Sequence, residues 1–479
     1  MVPLFRPVKS YRFSQLRGAE VAMLKSFRVL LLAGIAVLPL ASQASAETLG
    51  QALVAAFQGN PSLRADRARQ RATDEGVPQA LSGWRPTVSA TGTISHELQS
   101  ANLNPTGSAY TATDPKSLSI TLSQPIFRGF ATVEGTAVAE ANVKAGRQQL
   151  LATEESVLFS AVQAYMNVIR DRQLLSLRRS NVGVLQKQLK ASNDKFSAGV
   201  LTKTDVAQSR ASLEAARGNV AAQLAQLQAS EANYMQIIGH APGKLNYPGA
   251  ARVPRTLEES FEIAQRTNPN ILAAAHTEVA YEHQVGVVGS ALLPQVTLQA
   301  SESLNDQPSS SVNNSSTAVV EGVLQVPLYE GGKVYSQVRQ AKDNVSQNRL
   351  KVIGTVRSVR ENVANAWNSL IASTQSIAAA KAQVSAAQQA LNGVQQEYDV
   401  GSRSTVDVLN AQTTLLTAQL TLASAEHDRL VASYEVLANI GLLTADHLQL
   451  GVAYNPKVHY DAVRDKWIGL NPEDPDPVN

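Results

Sequence analysis

No cysteine occurs among the 479 residues. That excludes disulfides, thiolate metal sites, a cysteine nucleophile and an N-terminal lipid anchor on cysteine. Aromatic residues are only 5% of the chain, while Ala, Gln, Ser, Leu and Val dominate. Such a composition suits long helices packed side by side better than a thick globular core. Catalytic constellations are also missing. The seven histidines are scattered, and none stands in a Ser/His/Asp or Cys/His pattern. His276 and His283 lie seven apart beside Glu282 in "HTEVAYEH" and lack the H-E-x-x-H spacing of a zinc site. "GVLTKT" (199–204) matches the end of a phosphate loop, but Thr202 stands where that loop requires glycine. No carboxylate pair sits in an apolar setting suited to acid–base work. The reading is a non-enzyme without a cofactor.

Long apolar runs are equally scarce. From Met23, "MLKSFRVLLLAGIAVLPLASQASAE" has a basic start, a short apolar run and Ala44-Ser45-Ala46. This is the pattern of a secretory signal with an A-x-A cleavage site, and it makes Met23 a candidate start. The alternative, a membrane anchor, would need a longer run. The leader, 1–46, holds six basic residues (Arg6, Lys9, Arg12, Arg17, Lys25, Arg28) and one acid, Glu20. Without it the formal net charge falls from +3 to −2. A nucleic-acid partner therefore loses its only support. No later segment has the ~20 apolar residues of a spanning helix. If the exported chain enters a membrane, it does so as strands.

What the sequence does contain is a duplication. "TLGQALVAAFQGNPSL" (48–63) returns as "TLEESFEIAQRTNPNI" (256–271), so Asn60-Pro61 matches Asn268-Pro269 and Pro86 matches Pro294 at an offset of 208. Beyond that the offset is 202: Pro125 matches Pro327, Gly129 matches Gly331, Tyr165 matches Trp367, and Gly199 matches Gly401. Asp205 matches Asp407 and Gly239 matches Gly441 at the same offset. The six-residue difference is absorbed between Pro86 and Pro125, which marks a loop of variable length. The expected organisation is a first repeat over 47–247, a second over 256–443 and a tail over 444–479.

Within each repeat two regimes alternate. Proline is absent from 126–241 and 328–455, the stretches where an uninterrupted helix costs least. Val168, Leu175, Val182, Leu189 and Phe196 recur every seven residues, as do Leu370, Ile377, Val384, Leu391 and Tyr398. After each glycine the spacing resumes through Val206, Leu213, Val220, Leu227 and Tyr234, and through Leu409, Leu416, Leu430 and Leu437. Sustained heptads are a coiled-coil seam, so each repeat reads as a helical hairpin with tips at 195–206 and 397–408. The ascending helix, about 130–194, would be about 100 Å long. A bundle of shorter, broken helices is the plainer alternative.

The proline-bounded segments alternate instead. In "SLSITLSQP" (117–125), Leu118, Ile120 and Leu122 oppose Ser117, Ser119, Thr121 and Ser123. "PQVTLQASES" (294–303), "VVEGVLQVP" (319–327) and "PTVSATGTISH" (86–96) complete four candidate strands. Each pair is expected to be joined by a polar, unpatterned loop, "ELQSANLNPTGSAYTATDPK" or "LNDQPSSSVNNSST". Four strands cannot close a barrel, and open edges are forbidden in lipid. A membrane location therefore requires several protomers to share one barrel.

The tips carry the most specific motif. "YDVGSRSTVDVLNAQTTL" and its partner "FSAGVLTKTDVAQSRA", with the signal peptide and the duplicated strand–helix plan, resemble the TolC family of outer-membrane channel-tunnels. The likeness covers essentially all of the mature chain. The tail "YNPKVHYDAVRDKWIGLNP" resembles that of alphaproteobacterial members associated with type I secretion. The resemblance implies a mainly α fold with a membrane β-barrel portion. In a homotrimer, three sets of four strands would close a twelve-stranded barrel in outer-membrane lipid. The long hairpins would form an α-helical tunnel through the periplasm. It further implies an exit duct working with a periplasmic adaptor (membrane fusion) protein and an inner-membrane ABC or RND-type pump.

Carried over by position, Tyr398 and Asp205 would pair within a protomer, and Arg403 would reach Thr204 and Asp205 on the neighbouring hairpin. Asp407 would line the constriction as a three-fold acidic ring. Ala198, Gly199, Val200, Val400, Gly401 and Ser402 would dock the adaptor. One position departs from the family pattern: Asn410 stands where a second acidic ring is found in its best-known form. The simpler reading of the tip is that Arg403 and Asp407 are an i,i+4 helix pair. The competing function is a soluble periplasmic coiled-coil adaptor or spacer, against which the alternating strands weigh.

Overall fold

The computed structural model describes residues 46–103, 107–309 and 312–470. The signal sequence lies outside the described residues. None of the described helices is long and apolar enough to cross a membrane.

The chain opens with α1 (Leu49–Gly59), α2 (Pro61–Asp74) and α3 (Gly76–Leu81), then β1 (Thr87–Ile94), β2 (Glu97–Leu103), β3 (Gly107–Thr113) and β4 (Lys116–Arg128). Two long helices follow, α4 (Ala131–Ser197) and α5 (Lys203–Ile238). The plan then recurs: α6 (Leu257–Thr267), α7 (Pro269–Gly289), β5 (Gln295–Ser309), β6 (Val312–Gln325), α8 (Lys333–Asp399) and α9 (Thr405–Ile440). A short α10 (Lys457–Val463) lies in the tail. α4 and α8 each have 67 residues, and α5 and α9 each have 36. At about 1.5 Å per residue the longer pair run about 100 Å each, so the shorter-helix bundle is excluded.

The repeated Asn-Pro dipeptides have a shared mechanical role. Proline at the first helical position costs no hydrogen bond. The Asn60 carboxamide oxygen accepts from the amides of Ser62 and Leu63, and Asn268 accepts from Asn270 and Ile271. The other end of each carboxamide donates to the last turn of the descending helix, Asn60 to the Ile237 carbonyl at 3.1 Å and Asn268 to the Asn439 carbonyl at 2.9 Å. One side chain thus caps one helix start and ties it to another helix end. Gly239 and Gly441 terminate those helices in the left-handed region.

The main core lies where α1 and α6 pack on the long helices, around Leu158, Met166, Val363, Val436 and Ile440. Tyr165 is fully buried there, and its single hydroxyl proton is shared between the carbonyls of Glu47 and Asn246, each 2.7 Å away. Towards the tips the core thins to seams, Leu185 with Leu213 and Leu409 in one and Ala387 with Leu415 and Ala418 in the other. Val182, Leu189, Val384 and Leu391 pack on these seams as their heptad spacing requires. Phe196, the last heptad position of its helix, does not follow: it is 45% exposed.

The four-stranded antiparallel sheet has the order β1-β4-β5-β6, so the two repeats meet at β4 and β5. Val88 pairs with Leu122, which pairs with Ala300, which pairs with Val320, placing all four on one face. Val88, Leu118, Ile120, Leu122, Val320 and Leu324 are exposed on that face, which also carries the exposed Glu302 opposite Ile120. The opposite face carries Ser89, Thr121 and Ser301 in register, continued by Val319 on β6, and Thr91, Ser119, Ser303 and Thr317 in the next row. The segment 97–116, read as an unpatterned loop, is corrected by the structure: β2 and β3 pair from Glu97 with Thr113 to Leu103 with Gly107. The second loop is likewise shorter than expected, because β5 and β6 extend well into it. Backbone pairing needs no hydrophobic alternation, which is why small polar residues hid both extensions.

Candidate functional site at the helix-hairpin tips

Both turns are built alike. The α4 helix ends at Ser197 and the α8 helix at Asp399, each followed by a glycine with positive φ, +74° at Gly199 and +82° at Gly401. That region is entered at little cost only by glycine. The amide of Val200 returns to the Lys195 carbonyl and that of Ser402 to the Glu397 carbonyl, both at 2.9 Å. Each descending helix then starts with a capping box. Thr202 and Asp205 exchange backbone and side-chain hydrogen bonds, and Ser404 and Asp407 do the same. The Thr202 hydroxyl and amide hold the Asp205 carboxylate below the ordinary range, and the Ser404 amide and hydroxyl hold Asp407 down in the same way. The resemblance gave these acids to a gate. The signature T-x-x-D or S-x-x-D also gives them a local duty.

The decoration of the two turns differs. Tyr398 is 5% exposed, whereas Phe196 at the equivalent place is 45% exposed. The Lys195 ammonium sits over the Tyr398 ring at 3.9 Å and lies 3.7 Å from the Asp399 carboxylate. Lys195 thus bridges the two hairpins within the chain. The Tyr398 hydroxyl is buried and has no hydrogen-bond partner among the described residues. In the single chain it is not bonded to Asp205, whose carboxylate accepts from its own capping threonine. Arg403 donates from Nε to Glu397 at 2.7 Å across its own turn. It precedes the first residue of α9, so it is not an i,i+4 helix partner of Asp407. Thr204 and Asn410 are exposed on the starts of the descending helices.

Two contributors, Lys195 and Glu397, were not read from the sequence. Their signal was a pair of charges immediately flanking each turn, "KFSAG" and "EYDVG". The proposed docking positions are all exposed, with Val200 at 71% and Val400 at 81%. Elsewhere, His283 bonds Glu134 at 2.8 Å and His276 is not drawn into that pair.

An apolar strand face exposed in the single chain argues against the soluble adaptor reading, and the comparisons agree. The sequence profile of the family described as "Outer membrane efflux protein" matches residues 52–240 and 261–442. The outer membrane efflux protein BepC of Brucella suis biovar 1 is 38% identical over 435 residues, spanning 90% of this chain and 93% of BepC. The outer membrane protein TolC of Escherichia coli is 27% identical over 446 residues, 87% of each chain. The crystal structure of the Campylobacter jejuni CmeC outer membrane channel superposes with a TM-score of 0.73 at 16% identity, covering 87% of this chain and 89% of that one. The chain belongs to the outer membrane efflux protein family, and is an exit duct of the outer membrane that extends into the periplasm.

Proposed function

We propose that three copies of the chain form one channel-tunnel, gated at the helix tips, that exports cargo passively for an inner-membrane pump linked by a periplasmic adaptor. The observation that carries this reading is the open sheet. β1 and β6 are unpaired on their outer edges among the described residues, while the face between them is exposed and, apart from Glu302, carries mainly apolar side chains in its middle rows. In lipid every backbone group must be satisfied, so each β1 edge takes a neighbour's β6 edge. Three sheets of four strands close a twelve-stranded barrel, with the Ser/Thr face lining its lumen. Native mass spectrometry of the detergent-extracted protein should give the mass of three chains. A monomer or dimer that remains stable in the membrane fraction would overturn the reading.

The tips supply the gate. Arg403 and Glu397 are each about half exposed, and exposed ion pairs are weak. Arg403 is therefore free to exchange Glu397 for Thr204 and Asp205 of an adjacent hairpin when three chains converge. Tyr398, with its hydroxyl unsatisfied, has the same reason to find Asp205. Asp407 forms the acidic ring of the constriction, and adaptor hairpins dock on Ala198, Gly199 and Val200 and on Val400, Gly401 and Ser402. The exposed valines beside both glycines support that docking surface. The pump is of the ABC or RND type, and the chain itself catalyses no reaction. Loss of export on Gly401→Asp, with trimer and barrel intact, is the expected result for the docking tips; unimpaired export would remove them.

A further inference from the structure

The junctions between strands and helices carry a second apolar surface. Trp84 precedes β1, Phe130 follows β4, Leu293 precedes β5, and Leu328 with Tyr329 follows β6; all are exposed. They lie at one end of the sheet, the end from which the long helices depart. The tail reaches this level. His459 of α10 bonds Asp74 at 3.1 Å, with both side chains buried, and Arg147 stacks on Tyr460. From there the chain climbs to Arg85, which donates to the Lys466 carbonyl at 3.0 Å and stacks on the Trp467 ring at 4.8 Å. Trp467, Ile468 and Leu470 then project outward at 66%, 91% and 101% exposure.

We propose that the segment Lys466–Leu470 is a membrane anchor that inserts into the periplasmic leaflet of the outer membrane. The inference rests on the outer-membrane reading of the strands. Arg85 stands two residues before β1, and Val88, the first lipid-facing side chain, is three residues beyond it. At ~3.3 Å per residue the Arg85 backbone lies within about 10 Å of Val88 along the chain, so the tail is tied to the level at which the apolar strand face begins. The composition also fits a bilayer interface, where tryptophan is enriched at headgroup level. With no cysteine in the sequence, no lipid on cysteine does this work. The buried Asp74–His459 pair fixes the height of the segment, which makes the anchor a rigid extension of the barrel rim.

The chain has three tryptophans, 84, 367 and 467, so two double variants isolate the relevant ones. Full-length W84F/W367F retains Trp467, and W367F/W467F retains Trp84. Each is reconstituted in phosphatidylethanolamine–phosphatidylglycerol vesicles carrying bromine on the acyl carbons nearest the headgroup. The expected result is comparable bromolipid quenching of Trp467 and Trp84, with little quenching by iodide. The difference in quenching between wild type and W467F gives the same quantity with a single substitution. Quenching of Trp84 alone overturns the anchor while leaving the barrel intact. In that case iodide quenching of Trp467 places it in water, and protection from both quenchers places it against a neighbouring protomer. If neither tryptophan is quenched by bromolipid, the membrane reading itself fails.

Discussion

The two hairpin tips share a backbone and differ in what they hang on it. Gly199 and Gly401 make the same turn, and Thr202/Asp205 and Ser404/Asp407 cap the same helix start. Yet Phe196 is open to solvent where Tyr398 is covered, and Leu201 stands where Arg403 reaches Glu397. Requirements set by the backbone were kept in both copies, because positive φ and orphan helix amides arise wherever such a turn is made. Side chains free of those requirements diverged, and the divergence concentrates polar contacts on the second tip. The comparison teaches that the turn itself needs none of the polar contacts that the second tip carries.

The strongest way to break this contrast is Arg403→Ser against Leu201→Ser. The first removes the only guanidinium of the two turns and should raise planar-bilayer conductance several-fold. The second alters the equivalent position of the quieter tip and should leave conductance within error. Equal effects, or none, would mean that Arg403 only braces its own turn through Glu397.

Lys195→Met comes next. It keeps the aliphatic stem but removes the charge lying over Tyr398 and beside Asp399. Cation–π contacts and partly exposed ion pairs are each modest, so conductance should rise less than with Arg403→Ser. Adding Tyr398→Phe should change little further if the hydroxyl has no partner, and clearly more if it pairs with Asp205 in the trimer. That double variant separates the geometry of the lone chain from the pairing implied by the family.

These residues also show what was legible beforehand. Helix positions followed from proline-free stretches and heptads, since both report directly on what a long helix tolerates. The apolar face of β4 followed from strict alternation at 117–125. β2 and β3 did not, because "ELQSANL" and "GSAYTAT" pair through backbone groups that any residue supplies. Asp205 and Asp407 are visible as motif residues, and the same T-x-x-D and S-x-x-D spacing encodes their capping duty. Lys195 and Glu397 were hidden for another reason. Their contacts depend on how a left-handed glycine redirects the chain, and no spacing rule encodes that.

The shared part of the tips should respond equally in both copies. Thr202→Ala and Ser404→Ala each remove one cap, worth ~1 kcal/mol, or roughly fivefold faster hydrogen exchange in the first helical turn. Acid tests the same element. The folded pKa of Asp205 and Asp407 lies below the ordinary carboxylate value of 3.8. Their stabilisation is therefore fully present above that value and is lost as pH falls through the lower folded value. Both tips should loosen together below about pH 4 and not before. Loosening of one tip at neutral pH would show that its cap carries an additional load.

The smallest effect belongs to Asn410, one helical turn beyond Asp407 and exposed where Asp407 is half-buried. Its side chain is neutral where a second acid would double the charge of the constriction in a trimer. Coulomb attraction for a multivalent cation grows with the number of carboxylates in reach and is reduced, though not abolished, by water and salt. Asn410→Asp should leave conductance in monovalent salt nearly unchanged and strengthen block by divalent and, more so, trivalent cations. Arg403 remains in place, so the latch is untouched and only the field at the mouth is altered. Identical block in wild type and variant would place residue 410 outside the constriction, and would leave Asp407 as the sole acid whose ring is in question.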